Sequence, residues 1–255
     1  YNLYVSAHRD DADGYAARAE LEVKQEMWQA ARADYDEALR IRPADPALLL
    51  ARAAVLERLG LKTLANHMIN NFGQIVNMTD LVDVLKIGSD KTTRNYIDYL
   101  TQAFLIVPQT KFSYKSSERL RNSKMYVVDT GMLTYRPEAL SSESLGWRLE
   151  NAVYLELLRR NLPLHRDIYY YRPTARAKEV DFVVAEKGNA IELVQVSYDI
   201  GNPKTLSREL TALADVSNKT GCKQLTLIAC SESRKEVVAG LEINIISAVE
   251  WLLSK

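Results

Sequence analysis

Cysteine is scarce in this chain, with only Cys222 and Cys230 among 255 residues. Two thiols so placed exclude a disulfide framework and a cysteine-based zinc site, and they fit a reducing, cytoplasmic compartment. The three histidines, His8, His67 and His165, are scattered without acidic or cysteine neighbours at ligand spacing, so no histidine metal cluster is expected. Net charge is missing too. Lys+Arg and Asp+Glu both count 33, so any nucleic-acid surface must be a local patch rather than a general field. The most apolar run, Ala47 to Leu56, is interrupted by Arg52 and falls far short of the roughly 20 residues of a membrane span, so no membrane partner is expected. No signal peptide is visible. The first residue is Tyr1 rather than methionine, as in a piece of something longer, which leaves an upstream targeting segment open. No Gly-x-x-x-x-Gly-Lys-[Ser/Thr] stretch exists to cradle phosphates, so no ATP site is expected in this chain. Gly-x-Ser-x-Gly is absent, as is any nucleophile with an evident base.

What is present is 47% hydrophobic residues, enough for a real core in one large domain or two ordinary ones. The patterning predicts a mixed α/β (α+β) chain in three parts, at 1–66, 69–115 and 120–255. From Ala12 to about Ala65 the composition is rich in Ala, Arg and Leu. At a spacing of 34 residues Tyr15 aligns with Leu49, Arg18 with Arg52, Ala19 with Ala53, Leu21 with Val55 and Ala31 with Ala65. With Ala31, Tyr35, Ala38 and Pro43, this pattern resembles the tetratricopeptide repeat, a helix-turn-helix unit of that period. One repeat and part of a second are covered. Such repeats form grooves that bind a protein or peptide partner, although so few of them read first as a docking spacer. Composition changes at His67-Met68, which is expected of a joint between unrelated pieces, natural or engineered.

The second part reads as a winged helix. Thr79 to Lys86 and Lys91 to Ala103 are two short amphipathic helices around a tight Gly turn, with Ser89 or Asp90 capping the second. Phe104 to Tyr114 is expected as a strand, a break at Pro108-Gln109 and a second strand. On the second helix Lys91, Thr92, Arg94 and Asn95 point outward, and with Ser89 they form a candidate surface for duplex DNA. Asp90 and Asp98 weaken that patch, and a packing role is the competing reading.

In the third part Lys124-Met-Tyr-Val-Val-Asp-Thr-Gly is a buried strand, Trp147 to Arg160 a helix, and Tyr169 to Ser197 three strands with a turn at Lys187-Gly-Asn. A helix from Thr205 to Lys219 precedes strands at Gln224–Ala229 and Glu242–Ser247, so the sheet should be mixed. A carboxylate inside a strand is costly unless it has a job or a partner, which singles out Asp181.

The phrases Lys124-Met-Tyr-Val-Val-Asp-Thr-Gly-Met-Leu, Gly146-Trp-Arg-Leu-Glu-Asn-Ala-Val-Tyr-Leu-Glu-Leu-Leu-Arg-Arg and Glu179-Val-Asp-Phe-Val-Val, with Leu81 to Tyr114, resemble the C-terminal region of bacterial and archaeal AAA-type ATPases, catalogued as domain of unknown function 4143. The resemblance covers roughly residues 69 to 255. It implies a winged helix followed by a restriction-endonuclease-like, PD-(D/E)xK-type sheet, attached in the intact family to an ATPase domain that is not in this sequence. In active members of the wider fold a helix Glu, a strand Asp and a Glu-x-Lys hold Mg2+ or Mn2+, which activates water. Glu150 and Asp181 stand at the first two places, and alignment puts Gln195 and Ser197 at the Glu and Lys places. The charges of the last pair are therefore gone. Asp181 and Gln195 remain as candidate metal ligands, and Lys204 or Arg208 as substitutes for the cation. In the structural alternative Asp181 pairs with Arg172 or Lys178, and Glu150 meets a helix N-terminus. The resulting expectation is a non-catalytic module that binds DNA or a partner. A metal-dependent nuclease using Glu150, Asp181, Gln195 and Ser197 and a repeat-type protein scaffold are the alternatives.

Overall fold

The computed structural model describes residues 2–77, 81–83, 89–113, 115, 122–133, 142–174, 177–231 and 233–254. The chain divides into two compact units, Tyr1–Asn66 and His67–Lys255.

The first unit contains α1 (Asn2–Ala7), α2 (Ala12–Lys24), α3 (Trp28–Ile41) and most of α4 (Pro46–Asn70), which continues into the second unit. Asp11 caps α2 through its carboxylate, and Asp45 accepts the Ala47 and Leu48 amides at the start of α4. Ala19, Ala31 and Ala38 are wholly buried beside Tyr35, Leu48 and Val55, and these small side chains let the helices approach closely. Arg18 forks onto Asp34 at 2.5 and 2.6 Å, tying α2 to α3. The 34-residue alignment is not matched by equal burial: Ala19 is buried but Ala53 exposed, and Val55 is buried but Leu21 exposed.

The second unit opens with a small antiparallel sheet of β1 (Ile75–Asn77), β2 (Ile106–Thr110) and β3 (Asn122–Val127), in the order β1-β3-β2. Between β1 and β2 lies α5 (Asp90–Gln102), capped by Ser89, whose hydroxyl accepts the Thr92 amide. Most of the helix expected at Thr79–Lys86 lies outside the described residues, although 81–83 are helical. The break expected at Pro108-Gln109 does not occur. Strand β2 runs straight through it, because among the described residues it pairs only with β3 and an edge strand can spare the amide that proline lacks. Strand β3, expected to open a separate third part, is instead the centre of this sheet, so residues 69–115 and 120–255 share one unit.

A second, six-stranded sheet has the order β4-β5-β6-β7-β9-β8, with β4 (Asp167–Tyr171), β5 (Val180–Glu186), β6 (Asn189–Ser197), β7 (Leu225–Ala229), β8 (Arg234–Val238) and β9 (Leu241–Ser247). It is mixed: β4, β5 and β6 are antiparallel, β7 runs parallel to both β6 and β9, and β8 returns antiparallel to β9. The β5–β6 turn places Lys187 at φ +51° and Gly188 at φ +82°, the left-handed pair that a tight hairpin of this twist needs. The parallel β6–β7 step requires a crossover, supplied by a helix, α7 (Pro203–Thr220). Asn202 and Pro203 start that helix and Gly221 at φ +75° ends it.

One face of the sheet packs Val183, Leu193 and Leu227 under Leu210, Leu213 and Val216 of α7. The other packs Phe182, Val184 and Val194 under a long helix, α6 (Ser142–Asn161), and a short C-terminal one, α8 (Ala248–Leu253). There Tyr154 stacks on Phe182 at 5.7 Å and Tyr126 lies 4.3 Å from Tyr154. The protein is thus a mixed α/β chain with a mixed sheet flanked by helices.

Candidate functional site

Strand β3 carries Lys124 and Tyr126 two residues apart, so both project to one face, and both reach the same oxygen of Glu150. The Lys124 ammonium donates to Glu150 Oε1 at 2.8 Å and the Tyr126 hydroxyl at 2.6 Å. Glu150 itself is aimed by its neighbour. Asn151, wholly buried, accepts the Val127 amide at 2.9 Å and donates to the Val127 carbonyl at 2.8 Å, fixing the rotation of α6 against β3. Helix α6 begins at Ser142, earlier than the expected Trp147, so Glu150 sits in its interior and its partners are Lys124 and Tyr126 rather than a helix terminus.

Glu179 and Asp181 close the cluster from the other side. Lys124 Nζ lies 2.5 Å from Glu179 Oε1 and 3.6 Å from Asp181 Oδ1, while its own side chain is only 4% exposed. Three carboxylates therefore face one buried ammonium, with Arg172 Nη1 at 3.8 Å from the outer oxygen of Glu179. Burial pulls the Lys124 ammonium toward the neutral form, and the charges of Glu150, Asp181 and Glu179 more than reverse this, leaving it above the ordinary lysine range. Burial first, and then the charge of Glu150, hold the Asp181 carboxyl well above the usual carboxylate range.

The β5–β6 ladder stops at Phe182↔Val194, and beyond it side chains take over the backbone groups. Gln195 Oε1 accepts the Asp181 amide at 3.2 Å, Asp181 Oδ2 accepts the Val196 amide at 2.9 Å, and Gln109 Nε2 reaches the Asp181 carbonyl at 3.0 Å. Gln195 Nε2 donates to the buried Glu209, which in turn receives Arg208. A cleft of about 270 Å3 lies over this chain, with Lys178 and Arg208 at its edge.

The structure thus brings Glu150, Asp181 and Gln195 together, while the Ser197 hydroxyl turns away to donate to the Asp199 carbonyl. Arg172 pairs with Glu179, and the ion partner of Asp181 is Lys124. Arg208 serves Glu209. The cation beside Glu150 and Asp181 is thus Lys124, from β3 in the smaller sheet. A divalent metal does not fit this arrangement: the ammonium already lies between the carboxylates, and the Gln195 oxygen is taken by an amide. Among the described residues no group of three or more His, Cys, Asp or Glu side chains is arranged to hold a metal ion.

On α5, Ser89 and Thr92 are engaged in capping and Arg94 pairs with Asp90 at 3.3 Å. Lys91, Arg94 and Asn95 are exposed, and so is Asp98. Cys222 is buried, Cys230 is exposed, and neither forms a disulfide. Among the described residues no helix is long and apolar enough to cross a membrane.

Residues 145–248 match the family described as Domain of unknown function (DUF4143). The match spans the six-stranded sheet and most of α6. A second model, Domain of unknown function (DUF8612), matches residues 49–143 and so extends across His67-Met68, where α4 is also continuous. The cluster draws on both matched segments, with Lys124 in residues 49–143 and Glu150, Glu179 and Asp181 in residues 145–248. Similar proteins include an uncharacterized protein of Methanocaldococcus jannaschii, 35% identical over 60% of this chain and 33% of its own length. Another, from Haemophilus influenzae, is 29% identical over 79% of this chain and 48% of its own length. The chain therefore spans between a third and a half of these relatives. No solved structure matches it.

The raised Asp181 carboxyl gives a signed prediction. A carboxyl group whose folded pKa is raised favours the fold below its unfolded value of about 3.9, and that contribution is lost as pH rises through the folded value. Asp181→Asn, which keeps an oxygen for the Val196 amide, should leave stability at pH 7 unchanged or raise it by about 1 kcal/mol. Relative to the parent it should be less favourable at pH 4. Urea melts at both values check this, and a variant that loses more stability at pH 7 than at pH 4 would refute the assigned direction.

Proposed function

We propose that this chain is a non-catalytic binding module of a larger protein, in which a nuclease-like carboxylate set is neutralised internally and serves to fix the architecture. The observation that carries the reading is the Lys124 ammonium between Glu150, Glu179 and Asp181. A site in which the cation is a side chain has nothing to lower the pKa of a water, as a metal would. On this reading α5 and the small sheet are a winged helix, and duplex DNA meets the start of α5 at Lys91, Arg94 and Asn95, with Ser89 and Thr92 at the cap. Helices α2 and α3 form a tetratricopeptide-like spacer, and the setting is cytoplasmic.

The test is fluorescence anisotropy with a short duplex across a salt series. Binding should weaken steeply with salt, because phosphate contacts release counterions. Lys91→Ala should reduce the slope of log K against log salt by about 1. Affinity that is flat across salt, or unchanged in Lys91→Ala, would count against DNA. In parallel, no cleavage is expected with Mg2+ or Mn2+. Cleavage that disappears in Asp181→Ala would overturn the non-catalytic reading and restore the nuclease.

A further inference from the structure

The face of the large sheet opposite Gln195 holds a second polar cleft that the carboxylate cluster does not use. On β6, Glu192 points to the α6 side, three residues from Gln195 and on the other surface of the pleat. Thr226 Oγ1 donates to Glu192 Oε1 at 3.2 Å, and the Gln224 side chain also hydrogen-bonds the carboxylate. Gln224, Asn244 and Asn161 add amides around a space of about 360 Å3, with Trp251 and Ile246 among the apolar walls. That volume equals about 12 waters at about 30 Å3 each, within the range of small-molecule sites.

Two arginines stand at this cleft, and both are held by other partners. Arg160 lies over the Trp251 ring at 4.3 Å and donates to Glu156 and to the Trp251 and Ser254 carbonyls. Arg166 pairs with Glu186 at 3.1 Å. Their positions are thereby fixed at the edge of the cleft. Burial raises the Glu192 carboxyl, while the bonds from Thr226 and Gln224 and the charges of Arg160 and Arg166 oppose this.

We propose that this cleft binds a small planar molecule with two adjacent N–H donors on one edge and an anionic substituent, the chemistry of a guanine nucleotide. An ionised carboxylate accepts two parallel N–H bonds, and Glu192 keeps acceptor capacity beyond Thr226 and Gln224. The amides of Asn244 and Gln224 can serve the remaining polar edge. The same paired-donor edge occurs in a guanidinium cation, which free arginine probes directly; Arg166 engages Glu186 through Nε and has two further nitrogens to offer a phosphate. The proposal is independent of the DNA reading, because it involves the opposite side of the sheet from Asp181 and Gln195 and none of the α5 residues.

Isothermal titration of the full chain with guanosine 5′-monophosphate, adenosine 5′-monophosphate and free arginine tests it. The guanine nucleotide should bind, the adenine nucleotide at least tenfold more weakly because it lacks the paired donors, and arginine more weakly still. Glu192→Gln retains an oxygen for the Thr226 hydroxyl and should weaken guanine binding at least tenfold. Asn244→Ala alters an exposed side chain, leaves folding intact, and should weaken it several-fold, so the test survives a misfolded Glu192 variant. No guanine binding at millimolar concentration, equal binding of both nucleotides, tighter binding of arginine, or affinity unchanged in both variants overturns the assignment.

Discussion

Lys124→Met should cost about 3–5 kcal/mol of stability at pH 7, the magnitude for removing one partner from a buried charge pair. Methionine fills much of the lysine volume, so the loss is electrostatic rather than a cavity. It leaves Glu150, Glu179 and Asp181 facing one another, with Arg172 beside Glu179. The pH dependence separates this from a packing defect. A lysine whose folded pKa is raised contributes stability that is fully present below its unfolded value of about 10.4 and is lost as pH rises through the folded value. In the variant the unpaired carboxylates take up protons more readily, so acid should restore part of the loss. The gap between parent and variant should therefore be widest near neutrality, and should narrow toward pH 4 and at strongly alkaline pH. At neutral pH a drop of roughly 1–3 M in the urea midpoint at constant slope is the expected reading. A loss below about 1 kcal/mol, or one independent of pH, would mean that Lys124 is not the counter-ion of the cluster.

Much of this site was legible in the residues because buried charge is conspicuous. Asp181 stands inside a Val-Phe-Val run and so demanded a partner, whereas Glu150 was singled out only through the family resemblance. Lys124 carries the same signal as Asp181, a charge opening the buried strand Lys-Met-Tyr-Val-Val, but the cation was sought at Lys204 or Arg208 after β6 and at Arg172 or Lys178 before β5. Partners that meet across two sheets are not written in local spacing. Glu179 was hidden differently: it lies half-buried just before β5, where nothing local marks it as a partner of Lys124. Period-2 and helical patterns located β4 to β7 and α7 well, because these elements bury one face or both. Strand β8 escaped, since Arg234-Lys-Glu-Val-Val is an exposed edge whose pairing with β9 is a long-range fact. The small sheet was misdivided for the same reason. Pro108 reads as punctuation until its strand is known to be an edge, and β3 reads as the first strand of the larger sheet until β1 and β2 are known to flank it.

The substitution Asn151→Leu tests the joint on which the cluster depends, and should cost about 2–5 kcal/mol. Its side chain is isosteric enough to remain in place, but it removes both hydrogen bonds to Val127, whose amide and carbonyl face away from the pairing with β2. Each backbone group left buried without a partner costs about 1–3 kcal/mol. A merely structural defect would end there. If Asn151 sets the rotation of α6, then its neighbour Glu150 must also lose its alignment with Lys124 and Tyr126. Combining Asn151→Leu with Lys124→Met should consequently cost less than the sum of the two single losses, by about 1 kcal/mol or more, since the second change removes an interaction that the first has already weakened. Full additivity in urea melts of the four proteins would show that Asn151 anchors the helix without positioning Glu150.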